Sequence, residues 1–166
     1  MLKLLLGLAI IAFFTFLGYF FTKKYRRRKN FFCQFSQFNE RFLAEVSYTK
    51  RPLPKFLTAY AYKGEFESLL RTFYQSLTEE SAGGRRTFFL EGNEFSFLTK
   101  EQINFVRDYF QALGRGDSNA QKGYFGSVKS QLAALKEKSE IDAKKYGDLY
   151  LKLGLLAGLA ALILIV

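Results

Sequence analysis

The chain has 166 residues, with 25 Lys and Arg against 15 Asp and Glu, no His and one Cys, for a net charge of +10. That length suits one domain. Without histidine, histidine-based triads, metal sites and pH switches are excluded, and the single Cys33 excludes a disulfide within the chain, which suits a reducing cytoplasm.

The positive charge is not spread evenly. Seven cations lie at or before Lys29 and an eighth is Lys152, which leaves seventeen between residues 30 and 148 beside all fifteen carboxylates, a net +2. A nucleic-acid partner needs a basic stripe on the folded domain, so none is expected.

Residues 2–21 are apolar apart from Lys3. About 20 apolar residues in a helix cross a bilayer core of about 30 Å. A cleaved signal peptide carries its charge in front and a small-residue cleavage site behind. Here the heavy charge follows the run and aromatics fill the cleavage position, so a retained anchor is expected. Lys23, Lys24, Arg26, Arg27, Arg28 and Lys29 come directly after it. Cations are held on the cytoplasmic side, so the first residues face outward and the chain from Lys23 on faces the cytoplasm. These cations, with Lys152, form a membrane border that meets anionic lipid headgroups at about 1 kcal/mol each.

Phe31, Phe35, Phe38, Phe42 and Val46 are spaced four, three, four and four, which is one helical face. No Gly or Pro separates them from the membrane run, so one helix can continue to about residues 48–51, where Arg51-Pro52-Leu53-Pro54 stops it. A short helix follows with Leu53, Phe56, Leu57 and Tyr60 inward, ended by Gly64. Phe66, Leu69, Leu70, Phe73, Tyr74 and Leu77 mark the next helix, which dissolves at Ser81-Ala82-Gly83-Gly84. Residues 87–98 fit either a small hairpin or a loop pinned by Phe88, Phe95 and Phe97. The loop is favoured because an isolated hairpin is marginal in water.

Thr99-Lys100-Glu101-Gln102 has the form of a capping box. Ile103, Val106, Phe110 and Leu113 continue that helix, Gly114-Arg115-Gly116 ends it, and Asp117 or Ser118 caps the next. Phe125, Val128, Leu132 and Leu135 open a long helix with no proline. The final run, residues 149–166, has no polar face beyond Lys152, which can snorkel. It reads as a second span, leaving the cytoplasm, and Gly154 and Gly158 are a small-xxx-small pair that permits close helix approach.

The expected fold is all-α. A membrane helix over 2–22 and another over 149–166 flank a cytoplasmic antiparallel helical bundle over 23–148. No constellation supports catalysis or calls for a cofactor. Gly114-Arg115-Gly116 lacks the strand and third glycine of a dinucleotide loop and reads as a turn. Arg115-Gly116-Asp117 matches an adhesion tripeptide by chance. Glu137, Glu140 and Asp142 alternate with lysines and read as a solvated helix face. Cys33 reads as a passive membrane-proximal thiol, and the Phe rows read as core.

The chain resembles the stage III sporulation protein AB family of endospore-forming bacteria. The resemblance covers nearly the whole chain. It rests on the Met1-Leu2-Lys3-Leu4 start, Glu45-Val46-Ser47-Tyr48 leading into Pro52-Leu53-Pro54, Leu98-Thr99-Lys100-Glu101, Leu113-Gly114-Arg115-Gly116-Asp117, and Leu153-Gly154-Leu155-Leu156-Ala157-Gly158. It departs over residues 79–98, where Gly83-Gly84 and phenylalanines stand in place of an acidic helical stretch with a tryptophan. The resemblance implies a subunit of the sporulation channel complex in the mother-cell membrane around the forespore. It also implies a bundle similar to the platform proteins of type II secretion and type IV pilus machines. The implied partners are a secretion-type sporulation ATPase and other channel membrane subunits, and no catalytic residue transfers.

With both termini outside, the turns around residues 50–57 and 113–119 fall at the end of the bundle farthest from the membrane. Lys50, Arg51, Pro52, Leu53, Pro54, Lys55, Arg115 and Asp117 are therefore the candidate docking residues for the ATPase. The rival reading is an anionic-lipid-binding scaffold, with the 23–29 cluster as the functional part and no ATPase partner.

Overall fold

The computed structural model describes residues 2–49, 51–81 and 93–165. Among them all regular structure is helical: α1 (Leu2–Ala44), a π-helical turn (Glu45–Thr49), α2 (Leu53–Leu57), α3 (Glu65–Ser81), a 3-10 turn (Asn93–Phe95), α4 (Lys100–Ala112) and α5 (Ser118–Ile165).

Each boundary has a local cause. Pro52 takes an extended conformation (φ −55°, ψ 137°) and starts α2. Gly64 adopts φ +62° and its carbonyl accepts the Ser68 amide at 3.1 Å. Its role is therefore to open α3, a correction to its expected place at the end of the preceding helix, which already stops at Leu57. Thr99 and Gln102 form the reciprocal box at α4: the Gln102 amide donates to Thr99 Oγ1 at 3.3 Å, and the Thr99 amide donates to Gln102 Oε1 at 3.0 Å. Asp117, rather than Ser118, caps α5 by accepting the Ala120 amide at 2.7 Å.

The described chain divides into two compact units. One comprises the residues up to Lys29 with those from Glu137 on, and the other is Asn30–Lys136.

The core of Asn30–Lys136 is aromatic. Phe31, Phe35, Phe38 and Phe42 of α1 are buried, as the spacing predicts. Phe35 meets Tyr109 of α4 edge-on with ring centres 4.7 Å apart, Phe42 meets Phe125 of α5 at 4.9 Å, and Phe73 of α3 meets Phe110 of α4 at 5.0 Å. Such pairs contribute about 0.5–1.5 kcal/mol beyond area burial, and only in particular orientations, so they bias the packing toward one arrangement. Phe95 and Phe97 are buried against Phe31 from an irregular segment. No strand occurs among the described residues, and residues 87–92 of the expected loop or hairpin lie outside them. Tyr60, expected inward, is instead 38% exposed. Tyr60 lies beyond the end of α2, where the helical period no longer applies.

In the other unit the first part of α1 and the last part of α5 run antiparallel, with Gly7 beside Leu162, Ile11 beside Gly158, and Gly18 beside Tyr150 and Gly154. A Cβ on Gly154 would fall 2.7 Å from the Phe14 carbonyl oxygen, and one on Gly158 would fall 3.0 Å from the Ile11 Cα. The glycine pair thus seats one helix directly on the backbone of the other, with Gly18 supplying the matching recess. Phe13, Phe16 and Phe20 of α1 and Leu153, Leu156 and Ile163 of α5 are exposed. Among the described residues one helix, Ser118–Ile163, is long and apolar enough to cross a membrane: its qualifying eighteen-residue window has a mean hydropathy of 1.4 and is 11% buried.

Candidate functional site

Two groups of residues carry the charge that the sequence singles out. The first is the group expected to border a membrane. Lys23, Lys24, Arg26 and Lys29 are exposed along α1, Arg27 and Arg28 are half-buried, and Lys152 is exposed on α5. Tyrosines accompany them. Tyr25 stacks on Tyr146 with ring centres 4.7 Å apart, and Tyr150 lies 6.1 Å from Tyr25. The Arg26 guanidinium sits 5.4 Å from the Tyr19 ring, and the Lys145 amine sits 5.6 Å from the Tyr146 ring. Amphipathic rings with a polar tip beside cations are what a membrane–water boundary favours.

The second group lies where the α1–α2 and α4–α5 connections meet. Gly114 takes φ +77°, and a Cβ there would stand 2.6 Å from Leu53 Cδ2. The turn after α4 therefore rests on Leu53, the half-buried residue between the two prolines. A cleft of about 210 Å³ opens beside this contact, bordered by Phe42, Glu45, Arg51, Ser118 and Gln121. The structure thus brings Arg51 and Leu53 together with Gly114 and the start of α5, two stretches about sixty residues apart in the chain.

The charges there have different standing. Arg51 is held: its amide donates to Glu45 Oε1 at 3.2 Å, and its Nε lies 3.5 Å from the same oxygen. Glu45 is only 6% exposed, so this carboxylate is buried and depends on Arg51 for compensation. Arg115 faces Glu80 at 4.0 Å with both side chains solvated, a contact worth little. Pro52, Pro54 and Lys55 are exposed. Asp117 is occupied by the Ala120 amide and serves the helix end. Lys50 lies outside the described residues.

Glu45 is the residue that the sequence reading passed over. It stands three positions after Phe42 and shares its face, so a carboxylate at that spacing was the available signal. It belongs to the π-helical turn, a form of winding often associated with functional positions.

The family model described as stage III sporulation protein AB matches residues 3–166. No curated protein and no solved structure matches the chain.

Proposed function

We propose that this chain, which belongs to the stage III sporulation protein AB family, is a non-enzymatic membrane platform of the sporulation channel complex, and that its helical bundle docks a secretion-type ATPase. The observation that carries this reading is the seating of the Gly114 turn on Leu53. It sets the segment that carries Arg51, Pro52, Pro54 and Lys55 against the turn that carries Arg115, and Arg51 borders the cleft beside that contact. Arginine presents a fixed fork of donors suited to carboxylates on a partner. Arg51, oriented by the buried Glu45, reaches that surface with less rotamer freedom left to lose.

The test is capture of the ATPase by the full chain. Arg51→Glu and Arg115→Glu should each weaken capture by about tenfold, equivalent to about 1.4 kcal/mol. Unchanged capture removes the assignment.

The platform reading places both chain ends across the membrane. Exposed Phe13, Phe16 and Phe20 on α1 and Leu153, Leu156 and Ile163 on α5 support a paired two-span anchor, since such a face is stable in lipid and costly in water. In a Cys33→Ser background, Lys3→Cys should react with an impermeant maleimide in whole cells, and Ser130→Cys should react only after permeabilisation. The reverse pattern would place the bundle outside. The proposed location is the mother-cell membrane around the forespore, with other channel subunits as neighbours.

The exposed Lys23, Lys24, Arg26 and Lys29 favour one further reading, an anionic-lipid scaffold with no ATPase partner. Strong, salt-sensitive vesicle binding without ATPase capture would favour that second reading.

A further inference from the structure

The cleft beside the Leu53–Gly114 contact holds a carboxylate that its own chain leaves half-used. Glu45 lines this cleft and is 6% exposed. A carboxylate has two oxygens and about four lone-pair sites. Both contacts that Glu45 makes fall on Oε1: the Arg51 amide at 3.2 Å and the Arg51 Nε at 3.5 Å. Each is longer than the about 2.7–2.9 Å of a strong charge-assisted contact. Oε2 accepts from nothing among the described residues.

That second oxygen is not sealed off. The side-chain polar atoms that are closed to solvent and unpartnered among the described residues are Tyr62 Oη and Arg107 Nε. Oε2 is not one of them, so it reaches the molecular surface, and the surface that Glu45 lines is the cleft wall. One water needs about 10–15 Å³ of such space. The cleft encloses about 210 Å³, enough to admit a side chain.

The rest of the wall narrows the occupant. Phe42, Val46 and Leu53 supply apolar surface. Gln121 also lines the cleft and spends its amide nitrogen on the Gly116 carbonyl at 3.1 Å, which leaves its oxygen as an acceptor. The spare donors of Arg51 have water, since that side chain is 39% exposed. What the cleft leaves unmet is therefore acceptor oxygen beside apolar surface.

We propose that the cleft takes the ammonium of a lysine carried by a partner protein. This names the partner's chemistry at the proposed docking surface, and it rests on that reading for there being a partner. The ammonium is a compact charge with three donors on a four-carbon stem. It donates to Glu45 Oε2, while the stem lies along Phe42, Val46 and Leu53. Arginine fits less well, because its planar fork matches both oxygens of a carboxylate and Arg51 already holds Oε1.

The experiment titrates the full chain in zwitterionic nanodiscs with two probe peptides, acetyl-Ala-Leu-Lys-Leu-Ala-amide and its norleucine counterpart, which keeps the stem and lacks the amine. Binding is read from the NMR line widths of the peptides. The lysine peptide should bind about tenfold more tightly, as one hydrogen bond to a charged group allows. The net charge of +10 opposes a cationic peptide, so general attraction does not give that result. The advantage should vanish in Glu45→Gln, which keeps the shape, and in Ser118→Phe, which crowds the cleft and leaves Glu45 in place. Equal binding of the two peptides would show that water suffices for Oε2 and would overturn the proposal. So would an advantage that survives both substitutions, or one that appears only in Lys50→Ala, which would give the site to the chain's own lysine. ATPase capture is scored on the same samples. Capture without a lysine advantage rejects the lysine site alone, and a lysine advantage without capture rejects the ATPase assignment alone.

Discussion

Tyr109 on α4 donates its hydroxyl to Asn39 Oδ1 on α1 at 3.0 Å, inside an apolar core rich in phenylalanine rings. Asn39 in turn donates to the Phe125 carbonyl of α5 at 3.3 Å. Three helices are thus joined by a polar chain that is satisfied only in one register. Aromatic rings alone tolerate a shift of one turn more readily than this chain does.

Breaking the chain should therefore cost more than its area. Tyr109→Phe keeps the ring but leaves Asn39 Oδ1 without its donor, and should destabilise by about 1–3 kcal/mol. Asn39→Ala should cost more, because it strands the Tyr109 hydroxyl and opens a cavity. Urea unfolding followed by circular dichroism gives the order. Equal stability of wild type and Tyr109→Phe would show that the bond contributes nothing net.

The same tyrosine makes a pH prediction. Burial raises the Tyr109 phenol well above its ordinary 10.0. A raised folded-state value favours the protonated form in the fold. The associated stability is fully present below pH 10 and is lost as the unfolded chain begins to ionise above it. The unfolding midpoint should fall from about pH 10 upward. Tyr109→Phe should start lower at neutral pH but decline less steeply in that range. Parallel declines would assign the alkaline loss to other groups.

The paired glycines make a third. Gly154→Leu drives a side chain into the Phe14 carbonyl and should part α1 from α5. Gly147 has nothing within 4 Å of a built Cβ, so Gly147→Ala is the matched control. In a Cys33→Ser background, a Tyr25→Cys/Tyr146→Cys pair reports the approach as disulfide yield. Yield should fall several-fold with Gly154→Leu and hold with Gly147→Ala.

How much of this was readable beforehand follows from which interactions are local. The Phe31–Phe42 row, the Thr99 capping box and the Gly114-Arg115-Gly116 turn depend on spacing within a few residues, and the structure repeats them. Gly154 and Gly158 announced a close approach, but the recess at Gly18 is set by which helix arrives there. Glu45 was missed because its importance comes from its burial, which packing sets. Tyr60 was misplaced because an apolar period counts tyrosine as core, whereas a phenol can sit at the surface with its hydroxyl in water. The contact of Leu53 with Gly114 joins positions about sixty residues apart, and no local pattern encodes it.

That contact gives the sharpest test of the proposed docking surface, because it can be disturbed without touching a charge. Gly114 and Gly116 both hold positive φ, +77° and +84°, so an alanine at either strains the backbone by about 1–2 kcal/mol. Their surroundings differ. A Cβ at Gly114 stands 2.6 Å from Leu53 Cδ2 and pushes it aside, while a Cβ at Gly116 meets only Ala120 at 3.7 Å. The two variants should lose similar stability, yet only Gly114→Ala should weaken ATPase capture, since it alone displaces Leu53 and the flanking Arg51. If Gly116→Ala weakens capture equally, the partner senses the stability of the α4–α5 turn, and the seating of that turn on Leu53 is not what it recognises.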